Sequence, residues 1–238
     1  MVKLSVLMPA YNEKGTIEEI IKKVQAVKLG KVKREIVIVD DGSKDGTREI
    51  LTTLAKKYKN IKLIFHERNG GKGQAVRTAI ANMTGDIAII QDADLEYDPT
   101  DYVKLIQPII NGNVKIVYGS RFLGFRGSNP RKYKNYIAAN YYATKFLSVM
   151  SNVLYNAKIT DEPTCYKVFD AKVLKSIPLK CYRFEFCPEV TAKVRKRGYR
   201  ILELPIHYYP RSIEEGKKIN WKDGIEAIWT LIKYRFID

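Results

Sequence analysis

Short apolar runs alternate with amphipathic stretches through the first half of this 238-residue chain. Residues 3–8 form an apolar run of strand length, after which Ile17, Ile20, Ile21, Val24 and Val27 recur at helical spacing. Thr16 stands where the N-cap of that helix belongs. The pattern then predicts a strand over 35–39, a helix over 47–58, a strand over 61–65 and a helix from about 74 to 83. An apolar run ending at Ile90, a helix from about 99 to 110 and a strand over 114–119 complete the series. Strict alternation of this kind predicts an α/β fold with a doubly wound, mostly parallel sheet. Beyond residue 120 the pattern is less regular, and no repeat, low-complexity segment or linker divides the chain. One domain over residues 1–238 is the expectation. Residues 136–155 are helical in composition, rich in aromatics and uncharged but for Lys145. They read either as a core helix or as an amphipathic helix lying in a membrane interface.

The central run, Ile87-Ala88-Ile89-Ile90, has the character of a strand buried on both faces. It leads into Asp92, Asp94 and Glu96 and is stopped by Pro99. In extended backbone these three carboxylates share one side. Three converging oxygen ligands suit a hard cation, Mg2+ or Mn2+. The position suits it too, because open α/β sheets bind ligands beyond the carboxyl ends of their strands. The alternative is a solvated acidic loop.

Charge adds a partner to this picture. Forty-two Lys and Arg against 26 Asp and Glu give a net charge of +16, which implies nucleic acid, an anionic membrane surface or a phosphate-bearing substrate. Between residues 121 and 160 stand seven basic residues and no acidic one. Three widely spaced cysteines and two histidines, His66 and His207, argue against a zinc site and for a reduced, cytosolic protein. The chain opens directly on a strand without a signal-peptide core, and no run of 18 apolar residues is present. The loop Asn69-Gly70-Gly71-Lys72-Gly73 lacks the spacer and hydroxyl of a P-loop, and the first strand–helix turn lacks a dinucleotide-binding fingerprint. NTPase and dehydrogenase readings are thereby excluded.

Four motifs in order carry a family resemblance: Met8-Pro9-Ala10-Tyr11-Asn12-Glu13, Ile38-Val39-Asp40-Asp41-Gly42-Ser43, the 69–73 loop and Asp92-Ala93-Asp94. Together they resemble the family 2 glycosyltransferases of GT-A fold. Gly119-Ser120-Arg121-Phe122, the 164–169 segment, Arg183-Phe184-Glu185-Phe186 and the basic stretch from Arg211 sharpen it toward the polyprenyl (dolichyl) phosphate mannose and glucose synthases.

The resemblance implies that Pro9, Tyr11, Glu13, Val39, Asp40 and Asp41 hold base and ribose of a sugar nucleotide, GDP-mannose or UDP-glucose, with Lys72 assisting. Asp92, Ala93 and Asp94, with Glu96, would face a metal on the diphosphate, and Arg211 and Lys217 would cover the phosphates. Arg121, Arg131 and Lys132 are the candidates for orienting the phosphate of a polyprenyl or dolichyl phosphate. Residues 1–120 would then be the nucleotide-binding half and 121–238 the acceptor half. A phosphate monoester, with its second pKa near ~6, is already ionised and needs no general base. Glu185 or Asp161 would serve as base if the acceptor were a hydroxyl. Catalysis by inversion at the cytoplasmic face of a membrane is expected, the protein being peripheral there or held by an anchoring subunit. A soluble transferase acting on a saccharide hydroxyl is the alternative. A nucleic-acid-binding protein is more remote, because the basic residues form no recognisable binding motif.

Overall fold

The computed structural model describes residues 1–123, 138–211 and 221–237. The predicted alternation is present: β1 (Lys3–Ala10), α1 (Ile17–Ala26), β2 (Lys33–Asp40), α2 (Thr47–Lys57), β3 (Ile61–Phe65), α3 (Lys72–Asn82) and β4 (Ile87–Ile90). A 3-10 turn at Pro99–Asp101 then leads into α4 (Tyr102–Ile110) and β5 (Ile116–Ser120). Beyond these lie α5 (Ala138–Tyr155), β6 (Lys167–Asp170), α6 (Ala171–Ser176), α7 (Phe186–Lys196), β7 (Ile201–Pro205) and α8 (Trp221–Phe236).

The sheet runs β3-β2-β1-β4-β6-β5-β7. The first four strands are mutually parallel, β6 is antiparallel to both neighbours, and β5 and β7 are parallel. β1 therefore has β2 on one side and β4 on the other, and the chain order reverses across it. This is the topological switch point, where a crevice opens beyond the strand ends. Leu4, Val6, Leu7, Ile36, Val37, Ile38, Ala88 and Ile89 are completely buried, as strands covered by helices on both faces require.

Two local expectations are corrected. Thr16 occupies the N-cap position of α1 but makes no side-chain cap bond; its hydroxyl faces Glu13 Oε2 at 2.9 Å and the Ala93 carbonyl at 3.0 Å instead. Beyond Ile90 the backbone is not extended: residues 93–96 form bends, so the alternation of sides ends with β4.

The helix expected over 136–155 is present as α5 from Ala138, and it has two characters. One face joins α7 and α8 in a small second core of Leu147, Tyr155, Ala192, Ala227, Leu231 and Tyr234. The other leaves Tyr142, Phe146, Val149 and Val153 exposed at helical spacing.

Candidate active site

The side chains of the switch-point crevice come from the ends of β1, β2 and β4. Pro9 and Ala10 lie opposite Val39 and Asp40 in the parallel register. Asp40 is buried and bound by Arg48, whose Nε and terminal nitrogen approach Oδ2 at 2.9 and 2.8 Å. Asp41 is buried as well. Its carboxylate accepts from the Gly70 and Gly71 amides at 3.0 and 2.8 Å and meets His66 Nδ1 at 2.6 Å. The Asp-Asp pair thus has structural partners for most of its lone pairs.

The 69–73 loop is held from both sides. Gly71 adopts φ 92°, ψ 159°, a conformation essentially confined to glycine. A Cβ there would collide with the Tyr182 carbonyl, which also accepts from the Gln74 amide at 3.0 Å. This seating brings Lys72 onto Asp92, Nζ to Oδ1 at 2.6 Å, with the Phe184 ring 5.9 Å from the same ammonium. Burial pulls the Lys72 amine down, but the Asp92 carboxylate outweighs it and the pKa ends above the ordinary lysine value.

Asp94 faces another cation. Arg211 donates to its Oδ2 at 2.6 Å, reaches Glu13 Oε2 at 3.3 Å and gives its backbone amide to Glu96 Oε1 at 2.8 Å. Burial first, then the Asp92 and Glu96 carboxylates, push Asp94 up to about 7 in spite of Arg211.

Glu96 stays beside Asp94, its amide donating to Asp94 Oδ1 at 3.0 Å, while its own carboxylate is engaged elsewhere. Among the described residues no group of three or more His, Cys, Asp or Glu side chains lies close enough to hold a metal ion. The bend after Asp92 turns Glu96 toward the Arg211 amide and the Tyr208 hydroxyl, the latter 3.2 Å away. Asp92 and Asp94 are the carboxylates that stand against the cations of the crevice. Two carboxylates, one of them buried and raised in pKa beside other negative groups, fit a hard divalent cation completed by phosphate oxygens.

Of the acceptor-side candidates, Arg121 is half-buried and binds Asp161 bidentately, at 2.8 and 2.7 Å, with the Tyr208 ring 5.0 Å from its guanidinium carbon. Asp161 is consequently not a free base. Neither is Glu185: it caps the turn before α7, accepting from the Tyr182 and Arg183 amides at 2.6 and 2.8 Å. Arg131, Lys132 and Lys217 lie outside the described residues. Sequence reasoning missed Arg48, His66 and Tyr208, since a lone basic or aromatic residue gives no signal until folding sets it beside a partner.

A GT-A fold with carboxylates at the switch point defines a class, the sugar-nucleotide-dependent glycosyltransferases. The model of Glycosyl transferase family 2 matches residues 5–177. The chain belongs to this family and is a glycosyltransferase. It is 33% identical to a UDP-N-acetylglucosamine–dolichyl-phosphate N-acetylglucosaminyltransferase of Methanococcus voltae, over 95% of this chain and 93% of that protein. A dolichol-phosphate mannosyltransferase of Pyrococcus furiosus is 30% identical over 91% of this chain, which spans 59% of that longer protein. Among solved structures, glucosyl-3-phosphoglycerate synthase from Mycobacterium tuberculosis, in complex with Mn2+, UDP and phosphoglyceric acid, superposes with a TM-score of 0.72. That match covers all of this chain and 80% of the other at 20% identity, a likeness of fold.

Proposed function

We propose that this enzyme transfers a hexose from a sugar nucleotide to the phosphate of a polyprenyl or dolichyl phosphate, with inversion, at a membrane surface. The observation that carries the reading is the pairing of Asp92 with Lys72 and of Asp94 with Arg211 at the switch point. Carboxylates and cations interleaved in this way suit a metal-bound diphosphate. The acceptor is supported by the relatives' names, both of which specify a dolichyl or dolichol phosphate.

Asp92 and Asp94 would hold Mg2+ or Mn2+, which supplies Lewis-acid stabilisation to a departing nucleoside diphosphate. A lipid phosphate oxygen attacks the anomeric carbon from the face opposite the leaving group. The bond to the nucleoside diphosphate breaks, and its electron pair leaves on the diphosphate oxygen. Arg211 and Lys72 meet the negative charge that grows there, with Lys217 added by the family resemblance. Arg121, Arg131 and Lys132 orient the acceptor phosphate. Because that phosphate is already ionised, the engagement of Asp161 and Glu185 elsewhere removes nothing the reaction needs. The same engagement counts against a saccharide-hydroxyl acceptor, for which those two were the candidate bases.

Contact with a membrane is supported by two exposed apolar stripes. To the α5 stripe, α8 adds Trp221, Ile225, Trp229, Ile232 and Phe236. Tryptophan and aliphatic side chains on one face, with Lys222, Lys233 and Arg235 on the same helix, suit the interface of an anionic bilayer. No helix among the described residues is long and apolar enough to cross a membrane. A peripheral position on the cytoplasmic face fits both features.

The test is to incubate the protein with Mn2+ or Mg2+ and labelled GDP-mannose, UDP-glucose or UDP-N-acetylglucosamine, with and without a short polyprenyl phosphate. Label should enter the organic phase only with lipid and metal present, and Asp94→Ala should abolish it. Transfer to a saccharide without lipid would overturn the lipid acceptor.

A further inference from the structure

One histidine outside the carboxylate–cation pairs ties three segments of the crevice together. His66 follows β3, and its side chain is only 14% exposed. Its backbone amide donates to the Asp40 carbonyl at 2.9 Å, while its ring spans two further segments. Nδ1 lies 2.6 Å from Asp41 Oδ1, and Nε2 lies 3.0 Å from Thr78 Oγ1 on α3.

The donor inventory decides how this chain is polarised. An ionised carboxylate only accepts, so the hydrogen between His66 and Asp41 sits on Nδ1. In the neutral ring Nε2 is then an acceptor, and the Thr78 hydroxyl donates to it. Asp41 thereby sets the tautomer, and the Thr78 hydroxyl complements it by donating to Nε2 and seating the ring. Asp41 accepts from His66 and the Gly70 amide on Oδ1 and from the Gly71 amide on Oδ2. Of about four lone-pair sites on a carboxylate, the described residues leave one, on Oδ2.

We propose that His66 is a positioning residue for sugar-nucleotide binding. It holds the Asp41 carboxylate in the orientation that grips the Gly70–Gly71 backbone and leaves one Oδ2 acceptor for the nucleotide. The gripped loop in turn carries Lys72 to Asp92. The inference rests on the proposed donor site and deepens it. His66 does not touch the sugar or the phosphates; it acts through Asp41.

The test is calorimetric titration with UDP and with GDP, each with Mn2+, beside donor KM and kcat and the thermal midpoint of each variant. His66→Ala should weaken nucleotide binding by about tenfold, the effect of losing one hydrogen bond to a charged acceptor, and raise donor KM more than it lowers kcat. His66→Asn sets an amide N–H where Nδ1–H stands and should recover binding to within about threefold of the parent. Thr78→Val keeps the ring but removes the hydrogen bond that seats its Nε2 side, and should weaken binding by about threefold. His66→Ala binding like the parent would overturn the proposal, as would an Asn variant as weak as Ala at an unchanged thermal midpoint. Should His66→Ala fail to fold, Thr78→Val decides: unchanged affinity there overturns the positioning role. A parent protein that binds neither nucleotide removes the donor-site reading, and this proposal with it.

Discussion

Arg211 is the side chain on which the carboxylate cluster turns. Its guanidinium fork serves Asp94 and Glu13 at once, while its backbone holds Glu96. Lysine carries the same charge on a compact ammonium without the planar fork, so it cannot hold both carboxylates in this geometry. Arg211→Lys should therefore lower kcat/KM for the sugar nucleotide by about 10- to 100-fold, measured at saturating lipid phosphate. Glu162 offers a separate test on stability. It is fully buried, its Oε2 has no hydrogen-bond partner among the described residues, and burial raises its pKa from 4.5 to about 7. The folded protein keeps a proton there that the unfolded chain loses. Stability from this group is complete below pH 4.5 and is lost as pH rises to about 7. The loss amounts to about 3 kcal/mol. Glu162→Gln should flatten that slope in urea unfolding between those pH values, though not abolish it, because Asp94 titrates with the same sign. None of this was visible in the sequence: Glu162 there is one more charged residue in a polar stretch.

Elements were legible where their periodicity was strong. α1, α2 and β3 begin at or within a residue of the predicted positions, since one buried face imposes the spacing. β6 was not. It is four residues long and includes Lys167, which is fully buried because its ammonium donates to the Glu162 and Thr164 carbonyls and lies 4.3 Å from the Tyr118 ring. A lysine in that position erases the apolar run by which a core strand is recognised. For α5 the composition left core and interface readings open, and the helix has one face of each kind. Val153→Asp and Trp229→Asp sit on the exposed stripes of α5 and α8. They should leave stability within about 0.5 kcal/mol of the parent. Co-sedimentation with vesicles should fall sharply in both, and unchanged sedimentation would return the stripes to ordinary surface.

Over the whole molecule a charge of +16 has to act through solvent. Attraction to an anionic bilayer weakens as the Debye length shrinks from about 10 Å at 0.1 M salt to about 3 Å at 1 M. Binding to phosphatidylserine-containing vesicles should drop severalfold across that range. A residue of binding carried by the apolar stripes should persist and disappear in the Val153→Asp, Trp229→Asp double variant. Neutral vesicles should show only the salt-insensitive part. The sequence by itself determined the alternation of strands and helices, hence the doubly wound sheet, and the motifs at its strand ends, hence the family and the crevice. Both follow from periods of two and 3.6 residues and from turn chemistry, which are local properties. Only the tertiary structure decided that β6 enters the sheet antiparallel, that Glu96 meets the Arg211 amide and the Tyr208 hydroxyl, and that Lys72, Arg211 and His66 attach to Asp92, Asp94 and Asp41. Arg211 and Asp94 are 117 residues apart, and closure of the sheet is what gives them a common position.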